Sequence, residues 1–149
     1  MQKWLEKLLA MATKVAELFI EAVSDCHYIT PQHTPEGYDH SYFTLGMLFN
    51  GEERGVSWKE FREKYVSFGG DGFYGAWSVP YLEPVIQQRK FVKRYPEIYE
   101  NIEYKEGLCP VAESIQPRLM QFKTNYRDID LAAQKVKALK DTIDYFNQT

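Results

Sequence analysis

The sequence predicts an α/β (α+β) domain in which a small, mainly antiparallel sheet is covered by helices. Two long segments, one near each end of the chain, carry apolar residues at the three- and four-residue steps of amphipathic helices. Several short stretches between them are rich in β-branched and aromatic residues, which favour strands. A length of 149 residues fits one domain with a single core.

The first helix is predicted over residues 3–24. Leu9, Leu18 and Ile20 widen its apolar stripe beyond what one buried face needs. We therefore expect a neighbour to cover a second side, and residues 4–23 to mediate self-association where that neighbour is missing. The apolar residues at helical spacing are Trp4, Leu5, Leu8, Met11, Ala12, Val15, Phe19, Ala22 and Val23.

Short strands are predicted at Tyr28-Ile29, at residues 41–49 and at residues 119–124, because these stretches contain strand-forming residue types. Asn50-Gly51 is typical of a turn after the second of them. Residues 73–79 have strand character as well, and the prolines that follow prevent a longer regular element.

Ser57-Trp58-Lys59-Glu60 matches a capping box and predicts a helix from there through residue 68. The glycine run of residues 69–72 ends this helix, since glycine tolerates the left-handed conformation. A short helix is predicted over residues 111–118.

Asp128 is a suitable N-cap for a final helix. Its stripe comprises Ala132, Val136, Leu139, Ile143 and Phe146. Between residues 85 and 104, Pro96 breaks any helix.

Charge and composition exclude several classes of protein. The formal net charge of −3 argues against a polybasic nucleic-acid binder, and no apolar run approaches the length of a membrane span.

Cys26 and Cys109 are far apart and lack metal-ligand spacing, so we expect reduced thiols in a cytoplasmic protein, although a disulfide is possible. His27, His33 and His40 have no Cys or acidic partner at a characteristic offset, and we expect no metal site.

The sequence contains no recognisable catalytic centre of its own. It has no GxSxG elbow. The glycine run follows a helix and precedes the extended stretch FYGAW, which is the reverse of a phosphate-binding loop. The aromatic residues Phe73, Tyr74, Trp77 and Tyr81 form either a wall for a planar or sugar ligand or a packed edge strand, and spacing alone favours the edge strand.

Four ordered motifs carry a resemblance to a known family: HSYFTLGMLF at residues 40–49, GVSWKEFREKYVSF at 55–68, GGDGFYGAWSVPYLEP at 69–84 and YKEGLCPVAE at 104–113. On these motifs the chain resembles the C-terminal portion of the DegT/DnrJ/EryC1/StrS aminotransferases, which are pyridoxal-phosphate sugar aminotransferases. The match extends over nearly the whole chain.

The resemblance implies a fold-type-I enzyme of which this chain is the small domain alone. Residues 1–25 would be the linking helix and residues 26–149 the small C-terminal domain. Pyridoxal phosphate is expected in the complete enzyme but not in this chain, because the Schiff-base lysine belongs to the large domain. The expected partners are a nucleotide-sugar substrate in the complete enzyme and either the missing large domain or further copies of this chain, with no nucleic acid or membrane.

The resemblance also suggests substrate-binding residues. Many members carry a His-Tyr-Pro stretch after the glycine turn, where this chain has Ala76-Trp77-Ser78. They carry Leu-Pro-x-His-Pro where this chain has Met120-Gln121-Phe122-Lys123-Thr124-Asn125, so the chain belongs to a divergent branch. Substrate contact is expected from Tyr74, Trp77 and Tyr81, and secondarily from His40 and Tyr42, without any catalytic, cofactor or metal ligand. The alternative is a stand-alone nucleotide-sugar binding or oligomerisation module that has lost catalysis.

Overall fold

Three short strands form one antiparallel sheet in the order β1-β2-β3. The computed structural model describes residues 2–89, 97 and 101–148. Strand β1 is Ile29–Pro31, β2 is Leu45–Phe49 and β3 is Leu119–Phe122. Residues alternate between a buried and a half-buried side along β2, as expected of a sheet with one face on the core.

Five α-helices surround this sheet within the described residues. They are α1 (Gln2–Ala22), α2 (Trp58–Ser67), α3 (Pro84–Gln87), α4 (Pro110–Ile115) and α5 (Ile129–Gln148). Both α1 and α2 pack against α5. Helices and an antiparallel sheet around one core confirm the predicted α+β class.

The residues predicted to cap α2 and α5, and the glycine run predicted to end α2, are confirmed. The Ser57 side chain accepts a hydrogen bond from the Glu60 backbone N–H, and the Glu60 carboxylate accepts from the Ser57 N–H at 2.9 Å. Gly69, with φ of +96°, lies just beyond the end of α2. Asp128 caps α5, because its carboxylate accepts from the Asp130 N–H at 2.9 Å.

Several predicted strand boundaries are wrong. Of residues 41–49, only Leu45–Phe49 forms a strand, because Tyr42 has a φ of +46° that a strand cannot contain. The predicted turn at Asn50-Gly51 leads into a 3-10 helix over Gly51–Arg54. The first strand begins at Ile29 and excludes Tyr28.

The strand predicted over residues 73–79 is reduced to a single bridge between Tyr74 and Gln121. Beyond Tyr74, the backbone carbonyls accept hydrogen bonds from side-chain amides and not from the backbone N–H groups of a neighbouring strand. A 3-10 helix then begins at Pro80. The break predicted at Pro96 lies outside the described residues, as do Phe91, Tyr95, Ile98 and Tyr99.

The apolar face of α1 continues beyond the part that the domain covers. Val15 and Phe19 are buried in the core, whereas Trp4 and Leu8, on the same face two to three turns earlier, are 66% and 40% exposed. The expectation of an uncovered stripe over residues 4–23 therefore holds for the first turns only, since the second half of α1 is packed against the core. No described helix is long and apolar enough to cross a membrane.

An aromatic cluster fills the centre of the core. Phe73 is fully buried. Its ring lies 4.8 Å from Trp58, 5.2 Å from Phe122, 6.0 Å from Tyr65 and 6.2 Å from Phe61, as measured between ring centroids. Ring pairs at these separations attract one another beyond their burial. The residues after the glycine run are therefore fixed to the core by Phe73.

Replacing Gly70 by alanine is expected to destabilise the fold. A Cβ at this position would lie 2.3 Å from the ring of Tyr65, which is buried and cannot move away. We expect Gly70→Ala to lower the free energy of unfolding by about 1–3 kcal/mol, measured by urea denaturation.

Gly75→Ala is the matched control, since its Cβ would meet Trp58 at an ordinary contact distance of 3.5 Å. Its effect should stay below about 1 kcal/mol. Equal effects of the two substitutions would contradict the close packing of Gly70 on Tyr65.

Candidate functional site

The predicted substrate residues Tyr74, Trp77 and Tyr81 lie in one irregular stretch, residues 72–81, which we call the aromatic segment. Tyr74 exchanges two backbone hydrogen bonds with Gln121 of β3, at 2.8 and 3.0 Å. The Gln121 side-chain amide donates to the Gly75 carbonyl at 3.2 Å. The segment therefore follows the edge of the sheet without forming a regular strand.

The next two carbonyls of the aromatic segment are bound by a second glutamine. The Gln116 side-chain amide donates to the Ala76 carbonyl at 3.0 Å and also to the Trp77 carbonyl. Three successive carbonyls, from Gly75 to Trp77, thus accept hydrogen bonds from the side chains of Gln121, within β3, and Gln116, which precedes it. Such bonds restrict the backbone that carries Trp77.

Two aromatic side chains of the segment face solvent. Trp77 is 93% exposed and Tyr74 is 68% exposed, whereas the adjacent Phe73 is fully buried. A fixed backbone that presents an exposed tryptophan is an arrangement typical of binding surfaces, because little conformational entropy is lost when a ligand contacts it.

Tyr81 is tied to α4 through its hydroxyl. That hydroxyl donates to the Glu113 carboxylate and accepts from the Cys109 N–H at 2.9 Å. The Glu113 carboxylate also accepts from the Gly107 N–H at 2.8 Å. Glu113 was not predicted as a site residue, although it ends the CPVAE string that carries the family resemblance.

The charges of this network oppose proton transfer by Tyr81. Partial burial and the bond to Glu113 raise the pKa of Tyr81 to about 12. The same bond, together with the Gly107 N–H, lowers the pKa of Glu113. At neutral pH the hydroxyl is protonated and engaged in these two hydrogen bonds, so it is poorly suited to act as an acid or a base.

His40 and Tyr42 lie apart from the aromatic segment, in a cleft of about 450 Å³ that we call the α1 cleft. One wall consists of Leu9, Thr13 and Glu17 of α1, and the other of Thr34 and residues 38–42. The rings of His40 and Tyr42 are 4.6 Å apart between centroids.

The loop of the α1 cleft is fixed by hydrogen bonds. The Tyr42 N–H donates to His40 Nδ1 at 2.8 Å, and Gln32 Oε1 accepts from the Gly46 N–H at 2.6 Å. The Thr124 hydroxyl donates to the Tyr42 carbonyl at 2.5 Å. Because Thr124 follows β3 and Gln116 precedes it, the α1 cleft and Trp77 lie toward opposite ends of that strand.

A third network connects the glycine run to α5. The Asp71 carboxylate pairs with Lys135 Nζ at 2.9 Å and accepts from the Tyr126 hydroxyl at 2.8 Å. Burial opposes ionisation of Asp71, but the hydrogen bonds from Lys135 and Tyr126 outweigh it and lower the pKa of the carboxyl. Asp71 therefore positions the start of the aromatic segment.

The described residues do not fit pyridoxal phosphate. The cofactor needs a lysine in a protected pocket and a cradle for its phosphate. No described lysine is buried. A second cleft of about 300 Å³ contains Lys140, but Glu21, Asp25 and Asp144 share it and would repel a phosphate. Within the described part of the chain, no group of three His, Cys, Asp or Glu residues could hold a metal ion.

No protein-family model and no curated protein sequence matches this chain. Among solved structures, the X-ray structure of an aminotransferase from Psychrobacter cryohalolentis superposes with a TM-score of 0.75 over 97% of this chain, at 16% sequence identity. The chain has the fold of part of an aminotransferase. It spans 36% of the length of that protein.

Removing the Glu113 carboxylate is expected to release the loop and the aromatic segment that it binds. In Glu113→Ala, the amides of Gly107 and Cys109, and those of Leu82 and Glu83 in the turn that contains Tyr81, should exchange with solvent faster, on the order of tenfold, since a charge-assisted hydrogen bond is lost. Hydrogen exchange with mass spectrometry measures this.

Glu106→Ala is the control, because it removes an exposed carboxylate from the same turn. Unchanged exchange at Leu82 and Glu83 in Glu113→Ala would show that the turn containing Tyr81 does not depend on Glu113.

Proposed function

We propose that this chain acts as the small C-terminal domain of a pyridoxal-phosphate-dependent nucleotide-sugar aminotransferase. The observation that carries the proposal is the fold shared with one aminotransferase over 97% of this chain and 36% of that protein. The sugar class is supported by the sequence motifs alone, above all GGDGFYGAW and CPVAE.

In this proposal the aromatic segment closes the substrate side of an active site. Its support is the combination of an exposed Trp77 with a backbone that Gln116 and Gln121 restrict. The ring of Trp77 would pack on the substrate and exclude water, and Tyr74 would extend the same surface. The reactive lysine and the phosphate cradle would come from a separate large domain, since the described residues here do not fit the cofactor.

The exposed first turns of α1 are consistent with such a neighbour. Trp4, Leu5 and Leu8 continue the core-facing stripe but are uncovered. Burial of apolar surface contributes about 25 cal/mol for each Å² removed from water. A second domain that covered these turns would therefore be held to this chain by that burial.

A stand-alone nucleotide-sugar binding or oligomerisation module is the second candidate. Its support is that α1, α2, α5 and the sheet already share one core of buried residues. A domain of this kind would bind without transferring an amino group.

Supplying a cofactor domain tests the first candidate. The remainder of the Psychrobacter aminotransferase, lacking the matched 36%, would be co-expressed with this chain. We expect amino transfer only when both are present, and no cofactor absorbance from this chain alone. Amino transfer by the purified chain alone would contradict the proposal.

Titration of the isolated chain with nucleotide sugars separates the two candidates. The module predicts saturable binding that Trp77→Ala weakens by roughly tenfold, as for loss of a stacked aromatic contact, and that Trp4→Ala leaves unchanged. The small-domain proposal predicts no such binding without the second domain.

A further inference from the structure

We propose that the solvent-facing side of α1 pairs with α1 of a second copy of this chain, in antiparallel orientation. This side carries six residues at alternating four- and three-residue steps, so they lie along one face of the helix. All six are exposed. We call them the α1 charge row: Lys3, Lys7, Ala10, Lys14, Glu17 and Glu21.

The two halves of α1 carry opposite charge. Residues 3–14 contain three lysines and one glutamate, whereas residues 15–22 contain two glutamates and no lysine. The acidic half is reinforced by the cleft of about 300 Å³ beside Glu21, where Asp25 and Asp144 face a single lysine. One end of the α1 charge row is therefore basic and the other end is acidic.

This separation of charge is unfavourable for α1 on its own. Lys3 and Lys7 are four residues apart, as are Glu17 and Glu21, and like charges at this spacing repel each other. Lysine in the first turn and glutamate in the last turn also oppose the helix macrodipole. Among the described residues, none of these four side chains forms an ion pair. A charge pattern that destabilises the isolated helix points to a partner that compensates it.

A second copy in antiparallel orientation compensates each of these effects. With residue 12 at the centre of the pair, Lys3 lies opposite Glu21 of the second copy and Lys7 lies opposite Glu17. Two-fold symmetry repeats both contacts. The two helix dipoles then run in opposite directions, so each N-terminus lies beside a C-terminus. A parallel pair would instead place lysine against lysine and glutamate against glutamate.

The α1 charge row has apolar neighbours that the same pairing covers. Met11 and Leu18 are half-buried and lie beside the row, seven residues apart, so they add apolar contact to the ion pairs. The row faces away from the buried Phe19, and a second domain that covered Trp4 and Leu8 would leave it free. The inference therefore does not rest on the proposed function.

Sedimentation equilibrium of the full chain tests the proposal. We expect a reversible monomer–dimer equilibrium with a Kd on the order of 10–100 µM. Because salt screens exposed ion pairs, raising NaCl from about 0.05 M to about 0.5 M should raise this Kd by about 3- to 10-fold. A chain that stays monomeric, or a dimer whose Kd does not respond to salt, would overturn the proposal.

Charge reversal locates the interface. The double variants Lys3→Glu with Lys7→Glu, and Glu17→Lys with Glu21→Lys, should each raise the Kd at least about tenfold, since every ion pair becomes a like-charge contact. Both changes suit the dipole of the isolated helix, so the helix content measured by circular dichroism should be retained. An equimolar mixture of the two variants should form a heterodimer. A mixture that remains monomeric would contradict the antiparallel pairing.

The fourfold variant separates this interface from a general effect of charge. Combining all four substitutions exchanges the basic and acidic ends at the same net charge of −3, and the Kd should stay within about threefold of its original value. Lys59→Glu with Lys105→Glu is the control for the first double variant, because it makes the same change of net charge at exposed lysines outside α1. Loss of the dimer in the fourfold variant, or equal losses in the control and the double variant, would refute the proposal. Neither result bears on amino transfer.

Discussion

The burial of Phe73 among aromatic rings is the constraint on which the rest of this structure depends. Its ring contacts Trp58, Tyr65 and Phe122, which belong to α2 and β3. Through these contacts one residue joins the glycine run, a helix and the sheet. The aromatic segment pairs with β3 through the backbone of Tyr74 alone, so the buried Phe73 ring adds the contact that anchors the segment to the core.

Polar side chains then determine where the exposed aromatic residues stand. Gln116 and Gln121 bind successive carbonyls, Glu113 binds Tyr81, and Asp71 connects the start of the segment to α5. Each of these groups acts on the backbone or on a neighbouring side chain, and each leaves Trp77 free to contact another molecule. The result is an exposed tryptophan on a restricted backbone, in a chain that has the fold of part of an aminotransferase.

The sequence allowed prediction of α1, α2, α4 and α5 and of the central strand, because those elements have local signals. Ser57 and Glu60 cap α2 as the capping box requires, and Leu45–Phe49 lies within residues 41–49, whose strand-forming residue types predicted a strand. Residues 73–79 could not be predicted correctly, since strand-forming residue types do not reveal that glutamine side chains replace the partner strand. The α1 cleft could not be predicted from the sequence either. Glu17 and Asp39, which both line it, are 22 residues apart in the chain and are brought near each other only by the tertiary fold.

The central claim is that the aromatic segment is rigid although its side chains are exposed. Backbone amide order parameters from ¹⁵N relaxation measure this directly. For Tyr74 to Trp77 we expect values of about 0.85, equal to those of β3. Values below about 0.6 at these amides, with β3 remaining ordered, would contradict the claim.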